Sequence, residues 1–262
     1  RVLAIFFYGE YTLAGEFEPL VMNMVDGNGY SYWTVDSSGM ITQEYIKNAK
    51  YHIPSAYMPI LYPLFLYPFI FLFGYTKLAM VLILAFQSLL GAFSCVLLQK
   101  IYNFKFGLDE KNLVSILLSI FPLHIFMSTQ ISASNAYTFL IIMILYLYSI
   151  IKDNSYSNKT MILIGLFGGM LTMSRGDGIL IIPFIILLSI INENINFKNV
   201  SLIIISFILI IAPNSLRNNH HFDMYYPLTV SGGLNLWCGN NIDATGSRYN
   251  YVINPRTPIP KH

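Results

Sequence analysis

The side chains that could do chemistry in this 262-residue chain lie mostly outside its apolar runs. Hydrophobic residues make up 55% of the chain and charged residues only 11%. Ionisable residues gather in the polar segments 9–55 and 214–262 and around the short connection near residue 175. They include Glu10, Glu16, Glu18, Asp26, Asp36, Arg175, Asp177, Arg217, His220, His221 and Asp223. Polar groups at the rim of an apolar region suit a substrate with a polar head and a lipid tail.

Several chemistries are disfavoured by the same distribution. A transporter of ions or protons usually carries ionisable residues inside its spans, and the apolar runs here hold almost none. His124 is the exception, and we interpret it as a hydrogen-bonded packing residue beside Pro122 rather than as a relay. His220 and His221 are adjacent in the chain and lack the spacing of zinc ligands. The sequence therefore predicts neither a metal nor another cofactor.

The elements that position these residues are predicted to be membrane-spanning helices. Window hydropathy marks six apolar runs, at 78–101, 113–127, 136–151, 161–173, 178–191 and 200–212. Lysines cluster in alternate connections, near 100–111, 152–159 and 198, which predicts that these connections are cytoplasmic. The net charge of +2 is too small and too scattered for a nucleic-acid-binding surface.

The resulting prediction is an all-α polytopic bundle with two modules. Residues 1–213 form a membrane-embedded module with a clipped first helix, an external loop at 9–77 and six spans at 78–213. Residues 214–262 form an extracytoplasmic loop, and both chain ends look cut. Segment 56–73 contains Pro59, Pro63 and Pro68, and Pro54 precedes it, so that a proline occurs at every fourth or fifth position. We therefore interpret the segment as a kinked helix lying in the membrane surface. An ordinary kinked spanning helix is the alternative.

Several short motifs follow one another in a particular order. Glu18 is followed by Gly-Asn-Gly-Tyr-Ser at 27–31, and Pro-Ile-Leu-Tyr-Pro-Leu at 59–64 is closed by Phe-Gly at 73–74. Next come Leu-Thr-Met-Ser-Arg at 171–175 and Ala-Pro-Asn-Ser-Leu-Arg-Asn at 212–218. The last are Gly-Gly-Leu-Asn-Leu-Trp-Cys-Gly-Asn-Asn at 232–241 and Ala-Thr-Gly at 244–246.

In this order the motifs resemble the GT-C superfamily of membrane glycosyltransferases, which use polyprenyl-phosphate-linked sugars. Within this superfamily the chain most resembles the bacterial enzymes that are similar to dolichyl-phosphate-mannose-protein mannosyltransferases, that is, to glycosyltransferase family 39. Two positions depart from the family pattern. Asn214 stands where a tryptophan is common, and the turn 132–135 lacks the acidic residue that many members carry.

The resemblance implies transfer of a sugar to an acceptor on the external face, with inversion at the anomeric carbon. It implies that Glu18, or alternatively Glu16, is the general base. Arg175 and Arg217 would hold the donor phosphate, since guanidinium groups make bidentate bonds to phosphate. The substrate loop implied by the resemblance contains Tyr62, Asn235, Trp237, Asn240 and Asn241, and its glycines predict tight turns.

The implied partners are a polyprenyl-phosphate-linked sugar and membrane lipids, and the acceptor is a protein, lipid or glycan. The implied location is a bacterial plasma membrane with the site facing outward. Two other functions remain open at this stage. One is a multi-pass transporter or flippase for a lipid-linked or amphipathic solute, and the other is a non-catalytic membrane scaffold.

Overall fold

The computed structural model describes residues 1–13, 15–106, 112–151, 157–191, 196–226 and 228–240. Helices account for 71% of these described residues, which confirms the mostly helical prediction. The described α-helices are α1 Val2–Tyr8, α2 Glu18–Val25, α3 Leu61–Phe73, α4 Lys77–Phe106, α5 Leu113–Ile120, α6 Pro122–Phe126, α7 Ser134–Ser149, α8 Asn158–Ser174, α9 Ile181–Ile191, α10 Phe197–Phe222 and α11 Ser231–Asn240. Two 3-10 turns, Met127–Thr129 and Gly176–Leu180, precede α7 and α9.

Among the described residues, α4 and α10 are the two helices long and apolar enough to cross a membrane. Their 30 and 26 residues correspond to about 45 and 39 Å at 1.5 Å per residue, against a hydrocarbon core of about 30 Å. The helices at the other predicted spans are shorter, and the run 113–127 is divided into α5, α6 and a 3-10 turn. The break lies at Phe121, whose ψ of 117° is extended because the following Pro122 disfavours helical backbone before it.

Segment 56–73 contains the predicted helix, α3, which begins at Leu61 and has Pro68 in its interior. Its 13 residues span about 20 Å. Gly74 ends it at φ 67° and ψ −178°, a conformation that essentially only glycine adopts. Helix α4 begins three residues after Gly74, and α3 and α4 share a hydrophobic core that includes Leu66, Ile70 and Ile83.

A small antiparallel sheet interrupts the helical fold in the loop between α2 and α3. Its strands are β1 Ser31–Val35, β2 Ile41–Thr42 and β3 Tyr51–Pro54, in the order β2-β1-β3. The residues of β1 after Ser31 are aromatic or β-branched, types that favour strands. Asp36 begins the turn after β1, and its carboxylate accepts hydrogen bonds from the Ser38 and Met40 amides at 2.9 Å. The all-α prediction was wrong for this segment.

Helices α7, α8, α9 and α10 share a second core, in which α8 and α10 lie in close contact. Glycines on α8 make this approach possible, as in membrane helix pairs with small residues at their interface. An added Cβ at Gly165 would overlap Ser206 and the Ile203 carbonyl, and one at Gly169 would lie 2.7 Å from Ile210 Cβ. The contact partners advance along both helices together, so α8 and α10 run parallel and their C-terminal ends lie at the same end of the bundle.

Replacing Gly165 by alanine is therefore expected to destabilise the bundle. The added methyl group has no space against Ile203 and Ser206, and overpacking of this kind costs about 1–3 kcal/mol. The measurement is the free energy of unfolding of the purified protein in mixed detergent micelles. Gly239→Ala in α11 is the matched control, because nothing lies within 4 Å of its added Cβ. Equal stabilities of the two variants would contradict the close packing described here.

Candidate functional site

A polar cavity of about 580 Å³ lies at the end of the bundle where α8 and α10 finish. It is formed by four separate stretches of chain: the loop before α2, the segment between β3 and α3, the connection from α8 to α9, and the segment running into α11. Its lining residues are Glu16, Tyr57, Met58, Pro59, Arg175, Gly176, Asp177, Leu228, Thr229, Ser231, Gly232 and Asn235. We call this space the polar cavity because Glu16, Arg175 and Asp177 are among its lining residues.

The cationic group of the polar cavity is Arg175, which follows the last residue of α8. Its guanidinium donates two bonds to Asp177, from Nε to Oδ1 at 3.3 Å and from Nη2 to Oδ2 at 3.0 Å. The guanidinium also lies 4.9 Å from the centre of the Tyr137 ring. Both partners of the ion pair are about half exposed, at 51% and 53%, so the pair contributes little to stability and an incoming anion can compete for the guanidinium.

The short connection between α8 and α9 holds this arginine in place. The Arg175 amide donates to the Leu171 carbonyl at 3.1 Å and closes the last turn of α8, and Ser174 Oγ donates to the same carbonyl at 2.7 Å. The backbone of Arg175 is extended, and the 3-10 turn Gly176–Leu180 follows at once. Gly178 packs so closely that an added Cβ would lie 2.9 Å from the Leu171 carbonyl carbon. The connection is therefore compact, and both Arg175 and Asp177 face the polar cavity.

The structure separates the two carboxylates that the sequence analysis considered as general base. Glu16, the alternative candidate, lines the polar cavity together with Arg175. Glu18, the first choice, lies in the first turn of α2 and is not among the lining residues. Burial raises the pKa of Tyr75, and the negative charges of Glu18 and Glu10 raise it further, so both carboxylates lie within electrostatic range of the Tyr75 phenol.

Arg217, the second predicted phosphate ligand, binds backbone oxygens. Its guanidinium donates to the Ser55 carbonyl at 2.9 Å and to the Tyr30 carbonyl at 2.8 Å, and it also contacts the Asn218 side chain. Its carbon Cζ lies 5.2 Å from the centre of the Tyr30 ring. Arg217 is not among the residues that line the polar cavity, and its role as a phosphate ligand stays a prediction.

The predicted substrate loop is a helix over most of its described length. Asn235, Trp237 and Asn240 lie on α11, and among them Asn235 lines the polar cavity. Asn241 lies outside the described residues. The glycines of this stretch predicted turns because glycine is a poor helix former. In the structure these glycines lie within α11. The residue before this helix is held by a hydrogen bond from the Val230 amide to the Ala56 carbonyl at 3.0 Å.

Two apolar cavities lie close to the polar one. A cavity of about 330 Å³ between α7 and α9 shares Asp177 with it and is otherwise lined by Tyr137, Ile141, Leu171, Gly178, Leu180, Ile181 and Phe184. A second, of about 250 Å³, is lined by residues of α3, α4, α7 and α8, among them Ser174, which precedes Arg175 in the chain. Tyr62, predicted for the substrate loop, lines this second cavity, and its hydroxyl donates to Gln87 at 2.7 Å.

The sequence analysis missed several residues of the polar cavity. Asp177 was recognised as a rim residue only, although its position two residues after Arg175 in a turn was a usable signal. Tyr57, Thr229 and Ser231 carried no signal of their own, because their contribution depends on how distant segments meet. Within the described part of the chain, no group of three or more His, Cys, Asp or Glu side chains is placed to hold a metal ion.

Comparison with known proteins gave no match among protein-family models, curated proteins or solved structures.

Asp177→Asn is expected to strengthen anion binding in the polar cavity. The substitution removes the negative charge that now faces the Arg175 guanidinium, and one unit charge at about 4 Å in water corresponds to ~1 kcal/mol, or about fivefold in affinity. The measurement is titration of the protein with inorganic phosphate by calorimetry. Asp223→Asn is the control, because Asp223 follows α10 and does not line the cavity. Equal phosphate affinity of the wild type and Asp177→Asn would show that Arg175 is not the anion site.

Proposed function

We propose that this protein is a membrane glycosyltransferase that moves a sugar from a polyprenyl-phosphate-linked donor to an acceptor hydroxyl. The observation that carries the proposal is that one cavity of about 580 Å³ joins a carboxylate, Glu16, with a guanidinium, Arg175. A sugar transfer of this kind needs a group that takes a proton and a group that stabilises a departing phosphate. The order of motifs that resembles the GT-C superfamily supports the same reaction.

In the proposed reaction Glu16 takes the proton from the acceptor hydroxyl, and the acceptor oxygen attacks the anomeric carbon of the sugar. The bond from that carbon to the phosphate oxygen breaks, and its electron pair leaves on the polyprenyl phosphate. Arg175 neutralises the charge that develops there, because its planar fork matches two phosphate oxygens. Attack and departure occur on opposite faces of the sugar, so the configuration at the anomeric carbon inverts.

The two apolar cavities support a donor with a hydrocarbon chain. Both adjoin the region of Arg175, one through Asp177 and the other through Ser174. A phosphate bound at Arg175 would therefore have apolar surface beside it for the first units of a prenyl chain. The proposal places the bundle in a membrane as a multi-pass protein with this end outward. The two long apolar helices, α4 and α10, support a membrane location, and the lysines near 152–159, at the other end of α8, support the outward orientation.

The proposal is tested with the protein in membranes and a radiolabelled polyprenyl-phosphate sugar, by measuring released polyprenyl phosphate. Glu16→Gln is expected to lower the rate of release about 10²–10⁴-fold, the usual contribution of a general base, while donor binding is retained. Glu18→Gln is the matched control, two residues away and outside the cavity lining, and is expected to retain activity. Arg175→Ala is expected to lose both donor affinity and turnover.

Three results would contradict the proposal or part of it. Loss of activity in Glu18→Gln with normal activity in Glu16→Gln would return the base to Glu18. Normal turnover in Arg175→Ala would remove the phosphate role. A wild-type protein that binds or moves the lipid without cleaving it would be a transporter or flippase.

A further inference from the structure

Three polar residues of α10 share one face of the helix and bind backbone outside it. Asn214, Arg217 and Asn218 have the spacing i, i+3 and i+4, which places them side by side near the end of the helix. The exposed fractions of Asn214 and Asn218 are 8% and 0%. Each of the three side chains donates to at least one carbonyl oxygen of a segment that leads into the polar cavity. We call these residues the α10 clamp.

The first segment held by the clamp is the end of the small sheet. Arg217 donates to the carbonyl of Ser55, directly after β3, and to that of Tyr30, directly before β1. The Ser55 amide donates to the same Tyr30 carbonyl at 3.0 Å. The Tyr30 hydroxyl then donates to the carbonyl of Met58 at 2.9 Å. Since Tyr57, Met58 and Pro59 line the polar cavity, Arg217 fixes one wall of it through the sheet.

The second segment held by the clamp runs from α10 to α11. Asn218 donates to the Tyr226 carbonyl at 2.8 Å, and Asn214 donates to the Leu228 carbonyl at 3.3 Å. Leu228 and Thr229 line the polar cavity on this side. The two held segments also bind each other, through the bond from the Val230 amide to the Ala56 carbonyl. One helix face therefore holds both walls.

The shape of the Arg217 side chain matters here more than its charge. Its described acceptors are three neutral oxygens, two from the backbone and one from the Asn218 amide. Burial raises the pKa of Tyr30 far above its ordinary value, so the phenol against the guanidinium is also neutral. A planar fork reaches two carbonyls at once, whereas a lysine ammonium on a flexible stem does not offer that geometry.

We propose that Asn214, Arg217 and Asn218 are positioning residues that set the separation of the two walls of the polar cavity, and with it the alignment of the bound donor and acceptor for reaction. This inference rests on the proposed function and gives Arg217 a role other than holding the donor phosphate. Catalysis depends on wall positions because a displacement of about 1 Å in a bound group can lower the rate about 10²-fold. The three residues act through the walls and do not themselves touch the reacting atoms.

The test compares Arg217→Lys with Arg217→Gln in full-length protein in membranes, using the radiolabelled donor. Both variants are expected to lower kcat about 10- to 100-fold with an unchanged KM for the donor, because both lose the fork. Asn214→Ala removes the bond to the Leu228 carbonyl and leaves those of Arg217 and Asn218 in place, so it is expected to give a smaller loss of kcat. His220→Gln, an exposed change in the next turn of α10, is the control and is expected to behave as wild type.

A second measurement does not depend on activity. The chain has two tryptophans, and the ring centres of one of them, Trp33, and of Tyr57 in the first wall are 5.6 Å apart. With the other tryptophan removed by Trp237→Phe, the fluorescence of Trp33 therefore reports on the first wall. Release of this wall by Arg217→Lys or Arg217→Gln is expected to shift the emission to longer wavelength. If the wild type cleaves no donor, the proposed function fails, while the emission shift still decides whether Arg217 holds the wall.

Two results would contradict the proposed role of the α10 clamp. If Arg217→Lys keeps wild-type kcat while Arg217→Gln raises the KM for the donor, the charge of Arg217 matters and the residue binds the phosphate. If neither variant changes the Trp33 emission, Arg217 does not position the wall that contains Tyr57.

Discussion

The close contact between α8 and α10 is the constraint on which the candidate site depends. Gly165 and Gly169 bring the two helix backbones together, and the parallel direction of the pair brings the C-terminal end of α8 to the last turns of α10. Arg175 leaves the end of α8, and the clamp occupies the end of α10. Any widening of this helix pair would move the cation of the cavity away from the walls that enclose it. Packing inside the bundle thus determines geometry at its rim.

The site combines one weakly held cation with firmly held walls. Arg175 is paired with a half-exposed carboxylate, so its present partner is easily exchanged for a ligand of the same charge. Arg217 instead donates to two backbone oxygens and lies against a buried ring, so a ligand would have to displace all three contacts to reach it. Two arginines that look equivalent in sequence are therefore suited to different tasks, one to binding and one to support.

The helices were predictable from the sequence because runs of apolar residues are long and local. The helices α7 and α8 lie within a few residues of the runs 136–151 and 161–173. The sheet was not predictable in the same way, since β1 has five residues and β2 only two, and their pairing depends on contacts between segments. Arg175 was named from its motif, as was Glu18, but the sequence did not show that Glu16 rather than Glu18 lines the cavity. Two residues along a chain entering a helix can face opposite directions, and only the folded loop distinguishes them.

The long sequence separations at the rim have a consequence for how the protein is made. Arg217 is bonded to residues 187 and 162 positions earlier in the chain, and α11 adds another wall after that. During synthesis the early loop, with its sheet and Glu16, emerges well before α10 exists to hold it, and non-local contacts of this kind form slowly. The nascent chain must therefore keep that loop soluble and correctly folded until α10 and α11 have been made, and the cavity can assemble only after that point.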